Sequence, residues 1–512
     1  MSRRTRIVLA FAVLAAVFGW RLLHRPAPAE APKQAALAAA PATTVPKRKY
    51  GALEFSPCAL PSPAGGALEA QCATFEVAEN PAAPQGRKLA LNLAWLPATE
   101  EADIAPDPVF FLAGGPGQSA TESYPPLNSA FAELRKHRHV LLLDQRGTGK
   151  SNPLSCRLDG AGDETDEDMA VAVKRVETCR DELSKRADLR FYTTTDAVRD
   201  LEALRAALGA GQVDLVGVSY GTRVAQQYAM RHPERTRSIV LDSVVPNTLV
   251  LGNIFARNLD DALALQFGLC EKDATCRDRL GDPRKELDRL LETLRRDPPL
   301  VRYRDARTGE QREQRLRAAH VAGLVRMYAY MPTVATLLPV LIHEANQGRY
   351  EALVALTRML YGELEDAMAM GMQLSVVCSE DGDGIVRSSD DDGTVLGHEL
   401  TDFLAAQCKV WPKGGVPADF HAPLATGVPA LLLEGEYDPV TPPRYGEEVA
   451  KSLPNGRLLV LRGQGHNVIG AGCMPKLFAQ FVEKTDAKAL DAGCLDALAY
   501  AQPFTSYNGW NP

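Results

Sequence analysis

None of the ten cysteines forms a C-x-x-C pair, and none of the nine histidines belongs to an H-E-x-x-H or a tight His/Cys cluster. The common zinc-site patterns are therefore absent, and no metal or other cofactor is expected. A large excess of charge of one sign is also missing. The net charge is −7 over 512 residues, so no broad basic face for nucleic acid is expected. A nucleotide cradle is lacking too. Asp144–Ser151, DQRGTGKS, ends like a phosphate-binding loop, but Asp144 stands where G-x-x-x-x-G-K-[ST] needs its first glycine.

What is present begins with an address. Arg3, Arg4 and Arg6 precede the apolar run Ile7 to Trp20, which is short for a membrane span and suits the apolar part of a secretory signal. Small residues at Ala27 and Ala29 offer a cleavage site, whereas Arg21 and Arg25 suit a short uncleaved anchor. The expectation is a secreted or periplasmic protein, with 1–25 as signal or N-terminal membrane anchor and 26–49 as an Ala/Pro-rich linker. An even cysteine count fits export. The sequence neighbours are Cys58 and Cys72, Cys156 and Cys179, Cys270 and Cys276, Cys378 and Cys408, and Cys473 and Cys494. Five disulfides are expected, with the connectivity left open.

The runs 73–77 and 89–95 read as an antiparallel sheet edge. Short apolar strands follow at 109–112, 140–143, 213–216 and 239–241, alternating with turns and helices, and 195–208 reads as a helix capped by its first threonine. This is an α/β fold with a largely parallel sheet. From about Pro246 to Met372 the alternation gives way to amphipathic segments such as 284–296, 318–328 and 334–346. Strands resume at 430–433 and 458–461, with a last helix near 475–483. The division expected is a first core segment 50–246, a helical cap 247–372 and a second core segment 373–512.

The third parallel strand runs into Gly217-Val218-Ser219-Tyr220-Gly221 and then a helix, the context of a nucleophile elbow. Ser219 needs a base, and His466 in GQGH, just past the last strand, is suited to it. Asp438 follows the preceding strand in EGEYDP, with Glu434 and Glu436 as competitors within or at the end of that strand. The order Ser219, Asp438, His466 is that of an α/β-hydrolase triad. Ala113-Gly114-Gly115-Pro116-Gly117 ends the first parallel strand, and Pro116 has no N–H to give. Gly115 and Tyr220 are therefore the candidate oxyanion donors.

The set AGGPG, DQRGTGKS, GVSYGT, EGEYDPVTP and GQGH resembles the α/β-hydrolases of the proline iminopeptidase and tripeptidyl aminopeptidase family, over about Gly51 to Phe504. The last part resembles that family's TAP-like C-terminal portion. Ala113 stands where the family's loop often has histidine. The resemblance implies an α/β-hydrolase fold with a helical cap, and a serine peptidase acting on peptides with a free N-terminus. A buried acid would then pair with the substrate ammonium: Glu380 first, Asp381 second. Asp390 to Asp392 read as a solvent-facing charge run. A carboxylesterase uses the same groups, and a non-catalytic binding protein of this fold is the alternative from another class. Asp144 and Arg146 read as a charged pair holding their loop, whose far end Cys156 would pin if bonded to Cys179.

Overall fold

The structure, a computed structural model, describes residues 47–510 apart from 63–64, 101, 157–168 and 306–307, with only the backbone of 361–367. The signal or anchor thus lies outside the described residues, as does the linker as far as residue 46. Twelve strands are present among the described residues: β1 (Arg48–Tyr50), β2 (Leu53–Pro61), β3 (Ala67–Ala78), β4 (Lys88–Leu96), β5 (Val109–Leu112), β6 (Val140–Leu143), β7 (Val213–Val218), β8 (Thr236–Asp242), β9 (Leu300–Arg304), β10 (Gln311–Arg315), β11 (Ala430–Gly435) and β12 (Gly456–Leu461).

Ten of them form one sheet in the order β1-β2-β3-β4-β6-β5-β7-β8-β11-β12. Pairing is antiparallel as far as β6 and parallel from β6 to β12. The reason is visible in composition. Every residue of β5, β6, β7 and β11 is buried, as strands covered by helices on both faces must be. One apolar cluster lies on one face with Leu201, Leu204 and Tyr228; another lies on the opposite face with Phe131, Phe478 and Phe481. Strand order reverses across β5, between β6 and β7, so the carboxyl ends of these strands open where ligands bind in such sheets.

The cap has its own core. Helix Pro283–Arg296 buries Leu287, Leu290, Leu291 and Leu294, a stripe at helical spacing. Asp282 caps it by accepting from Arg284 N at 3.1 Å and Lys285 N at 3.2 Å. The cap is not purely helical, however, because β9 and β10 pair as a hairpin. In β10, QREQR, only Gln314 is buried, so the strand carries no apolar alternation to betray it. The stretch 334–346 also divides, into helices Pro332–Ala335 and Leu338–Asn346. Pro339 has no N–H for a bond back into the preceding turn. The helix expected from Thr195 begins at Thr194 with Thr193 as cap. Asp196 lies three residues after Thr193 and closes the capping box; the residue three after Thr195 is Val198, which has no acceptor to return.

All ten cysteines pair with their sequence neighbours, closing separations of 14, 23, 6, 30 and 21 residues. Five disulfides are the mark of an oxidising compartment. Among the described residues no helix is long and apolar enough to cross a membrane.

Candidate active site

At the end of β7 the backbone turns sharply. Ser219 has φ 55° and ψ −123°, a conformation that costs a side-chain-bearing residue about 1–3 kcal/mol and persists only where its surroundings enforce it. Its N–H donates to Asp242 O of β8 at 2.8 Å, and its carbonyl accepts from Thr222 N at 2.9 Å. Helix Tyr220–Arg231 starts at the next residue and is buried along nearly all its length. A Cβ on Gly221 would run into the carbonyl oxygens of Leu112 and Ala113, so only glycine lets this helix lie against β5. The positive end of the helix dipole points at the serine.

Asp438 follows β11 and is fully buried. Its Oδ1 accepts from Val440 N and Thr441 N, both at 2.8 Å, and its Oδ2 from Thr441 Oγ1 at 2.9 Å. His466 Nδ1 lies 2.7 Å from that same Oδ2. Burial pushes this carboxyl up, but His466 and the Thr441 and Val440 donors outweigh it and hold the group below its ordinary range. The competing acids are engaged elsewhere. Glu434 accepts from Val244 N at 3.2 Å, and Glu436 from Gly463 N at 2.7 Å. Burial, with Asp438 nearby, drives Glu434 well above the usual carboxylate range.

The histidine is also held from the cap. His466 N donates to Tyr330 O at 2.9 Å, and the Tyr330 ring stands edge-on to the imidazole with centroids 5.1 Å apart. A Cβ on Gly465 would strike that same carbonyl, which explains the glycine before the histidine. Sequence reasoning does not find Tyr330, because nothing near it in the chain marks a site. Asp242 is missed for the same reason. Its carbonyl takes the Ser219 N–H, while its carboxylate accepts from Val468 N at 2.9 Å and Ile469 N at 3.0 Å. One residue thereby joins the serine turn to the histidine loop. Burial raises this carboxyl to about 6 against the opposing pull of those two N–H groups and His466.

Gly114 lies against the serine: a Cβ there would stand 3.1 Å from Ser219 Cβ and 2.8 Å from Gln118 Oε1. Gly115 has φ 107°, open to glycine, and its peptide to Pro116 is cis. Among the described residues neither the Gly115 nor the Tyr220 N–H has a hydrogen-bond acceptor.

Glu380 ends helix Met370–Glu380, and Asp381 follows it. Both side chains are fully buried and face one guanidinium, Arg223, which is 2.9 Å from Asp381 Oδ2 and 4.0 Å from Glu380 Oε2. Glu380 accepts from Thr194 N at 2.6 Å and Thr194 Oγ1 at 3.0 Å, and that hydroxyl lies 2.6 Å from Tyr220 OH. Asp381 Oδ1 accepts no hydrogen bond and lies 3.9 Å from His421 Nε2. Burial lifts Glu380 to about 8, with Arg223 pulling it down and Asp381 pushing it further up. Asp391 departs from the expected charge run, being only 2 % exposed between solvent-facing Asp390 and Asp392, with its carboxylate 3.9 Å from His398.

Asp144 and Arg146 hold their loop without pairing to each other. Asp144 accepts from Ser119 Oγ at 2.8 Å, Thr121 N at 2.9 Å and Asn92 Nδ2 at 2.8 Å. Arg146 forms a two-pronged bond with Asp200, 2.7 Å at each nitrogen. Asp144 points back across the sheet, Arg146 toward helix Thr194–Leu208, so adjacency in sequence misleads. Among the described residues no group of His, Cys, Asp and Glu is arranged to hold a metal.

The pattern of the α/β-hydrolase fold matches residues 107–267, and that of the TAP-like proteins matches residues 394–494. The chain thus has the α/β-hydrolase fold, with a TAP-like segment in its C-terminal part. The hydrolase is 28% identical over 473 residues to "Serine protease Hip1" of Mycobacterium tuberculosis, covering 82% of its own chain and 86% of the relative. It is 29% identical over 191 residues to the tripeptidyl aminopeptidase of Streptomyces coelicolor, covering 34% and 35%. Over 137 residues it is 31% identical to the proline iminopeptidase of Xylella fastidiosa, covering 27% and 32%. These likenesses support a serine hydrolase of the peptidase type.

Proposed function

We propose that the hydrolase is an exported peptidase that releases amino acids or short peptides from free N-termini. Ser219 Oγ attacks the scissile carbonyl and passes its proton to His466 Nε2, while Asp438 holds the imidazole by Nδ1 and balances its charge. The N–H groups of Gly115 and Tyr220 take the developing oxyanion. His466 then protonates the leaving amine, and water releases the acyl group from Ser219. The observation that carries this reading is the 2.7 Å Asp438–His466 pair, tied through Asp242 to the strained serine turn.

The free-N-terminus preference rests on the buried acids. Two acid side chains face one guanidinium, and Asp381 keeps an oxygen that accepts no hydrogen bond, which is the acceptor a substrate ammonium would take. Asp381 is better placed than Glu380, whose oxygens both engage Thr194. Five disulfides support an exported location, periplasmic or extracellular.

The test is turnover of aminoacyl and tripeptidyl aryl amides with free and acetylated N-termini, beside short-chain esters, in wild type and Ser219→Ala. Ser219-dependent hydrolysis confined to free N-termini is expected. Equal turnover of acetylated and free amides would sink the exopeptidase reading, and hydrolysis of esters alone would make the protein an esterase. Asp381→Asn and Glu380→Gln should raise KM for free N-termini and leave KM for esters unchanged; equal effects on both would reject the ammonium role.

A further inference from the structure

The cap brings toward the histidine a cation that no carboxylate among the described residues neutralises. Arg326 lies on helix Ala318–Ala329 and is half-buried. Its guanidinium carbon is 4.7 Å from the Phe255 ring centroid and 6.0 Å from that of Tyr330, and its Nη2 is 3.5 Å from Tyr330 OH. Among the described residues no Asp or Glu pairs with it. Its cap neighbours differ: Arg284 pairs with Asp260 and Asp288, Arg289 with Glu286, and Arg349 with Glu344. Aromatic faces hold a guanidinium in one plane, and the long contact to Tyr330 OH engages only Nη2, so N–H groups remain for a carboxylate.

Its position says which part of a substrate it meets. Tyr330 touches both groups, its ring centroid 6.0 Å from the Arg326 guanidinium carbon and 5.1 Å from the His466 ring centroid, so the guanidinium lies within about 11 Å of the imidazole. In the proposed reaction His466 gives its proton to the leaving amine, so groups beyond the imidazole line the path of the departing peptide. Extended chain advances about 3.3 Å per residue. A distance of that size is covered by one to three residues.

We infer that Arg326, framed by Phe255 and Tyr330, binds a carboxylate on the leaving-group side of the substrate, one to three residues past the scissile bond. This inference rests on the peptidase reading and narrows its substrates to peptides carrying negative charge beyond the cut. The carboxylate comes from the C-terminus of a short peptide or from an acidic side chain.

The test compares peptides with the same free N-terminal part, followed by two alanines ending as acid or as amide, and by Asp-Ala amide. A matching aryl amide with no residue past the cut serves as reference. In wild type, KM for one or both carboxylate-bearing peptides should be about tenfold below that of the neutral amide, as a charge-assisted pair warrants. The C-terminal acid gains alone if the site reads the chain end, and Asp-Ala amide gains if it reads a side chain. Arg326→Gln should erase the difference and leave the aryl amide unchanged, whereas Arg326→Lys should keep part of it. Peptide hydrolysis indifferent to the carboxylate, or an Arg326→Gln loss shared equally by the aryl amide, overturns the inference while leaving the peptidase reading intact. Aryl ester hydrolysis with no peptide hydrolysis overturns both.

Discussion

Asp242 and Tyr330 contribute as much to the candidate site's geometry as the residues a motif search finds, yet neither is chemically reactive here. Asp242 binds Ser219 through its carbonyl and the His466 loop through its carboxylate. Asp242→Asn leaves a single carbonyl oxygen for two N–H groups, so the loop shifts. We expect kcat to fall by about 100-fold with KM nearly unchanged, the signature of misplaced chemistry, measured on the best aryl amide. An equal rise in KM would point to general loosening instead. Ser219, Asp438 and His466 are legible in the sequence because each stands just past a short apolar strand in a local pattern. Asp242 is itself a strand end, and the partners of its carboxylate, Val468 and Ile469, lie more than two hundred residues away. Arg223 shows the same limit: within TRVAQQYAMRH it reads as an ordinary helix arginine, and only the fold places Asp381 against it.

At the scale of elements, the cap is tied to the loops of the candidate site and not merely laid over them. Tyr330 at the end of helix Ala318–Ala329 accepts the His466 N–H, and the C-terminal tail joins cap and core through Phe504 N to Thr336 O and the stacked rings of Tyr437 and Tyr500. The cap's helices follow from apolar spacing, whereas hairpin β9–β10 was hidden by its charged second strand. Helix Met370–Glu380, which carries Glu380, is fastened to helix Glu399–Val410 by Cys378–Cys408. That bridge closes a separation of 30 residues. Replacing both cysteines by serine should lower unfolding free energy by about 2–4 kcal/mol in a urea titration, and should weaken binding of free N-termini more than of esters. Unchanged stability would mean that the helix is held by packing alone.

The whole molecule should show a stability that depends on pH in both directions. Glu380 is raised to about 8 and Asp242 to about 6, so the folded state holds protons that the unfolded chain has released. Their stabilisation is complete below the unfolded carboxyl range and fades as pH rises through the folded values. His139 and His320 are lowered to about 4 by burial, so their stabilisation is present above the ordinary histidine range and fades as pH falls toward 4. Between pH 5 and 8, Glu380→Gln should remove a decline of up to about 1.4 kcal/mol per pH unit, measured as the difference between wild-type and variant unfolding curves. Parallel curves would place the Glu380 carboxyl at its ordinary value.

The central claim, that Ser219 is a nucleophile activated by His466, is tested most directly by covalent trapping. A fluorophosphonate should add once per chain, and peptide mass spectrometry should place the adduct on Ser219, with labelling lost in Ser219→Ala and strongly slowed in His466→Ala. An adduct on another residue, or a folded protein that takes no label, would contradict the account.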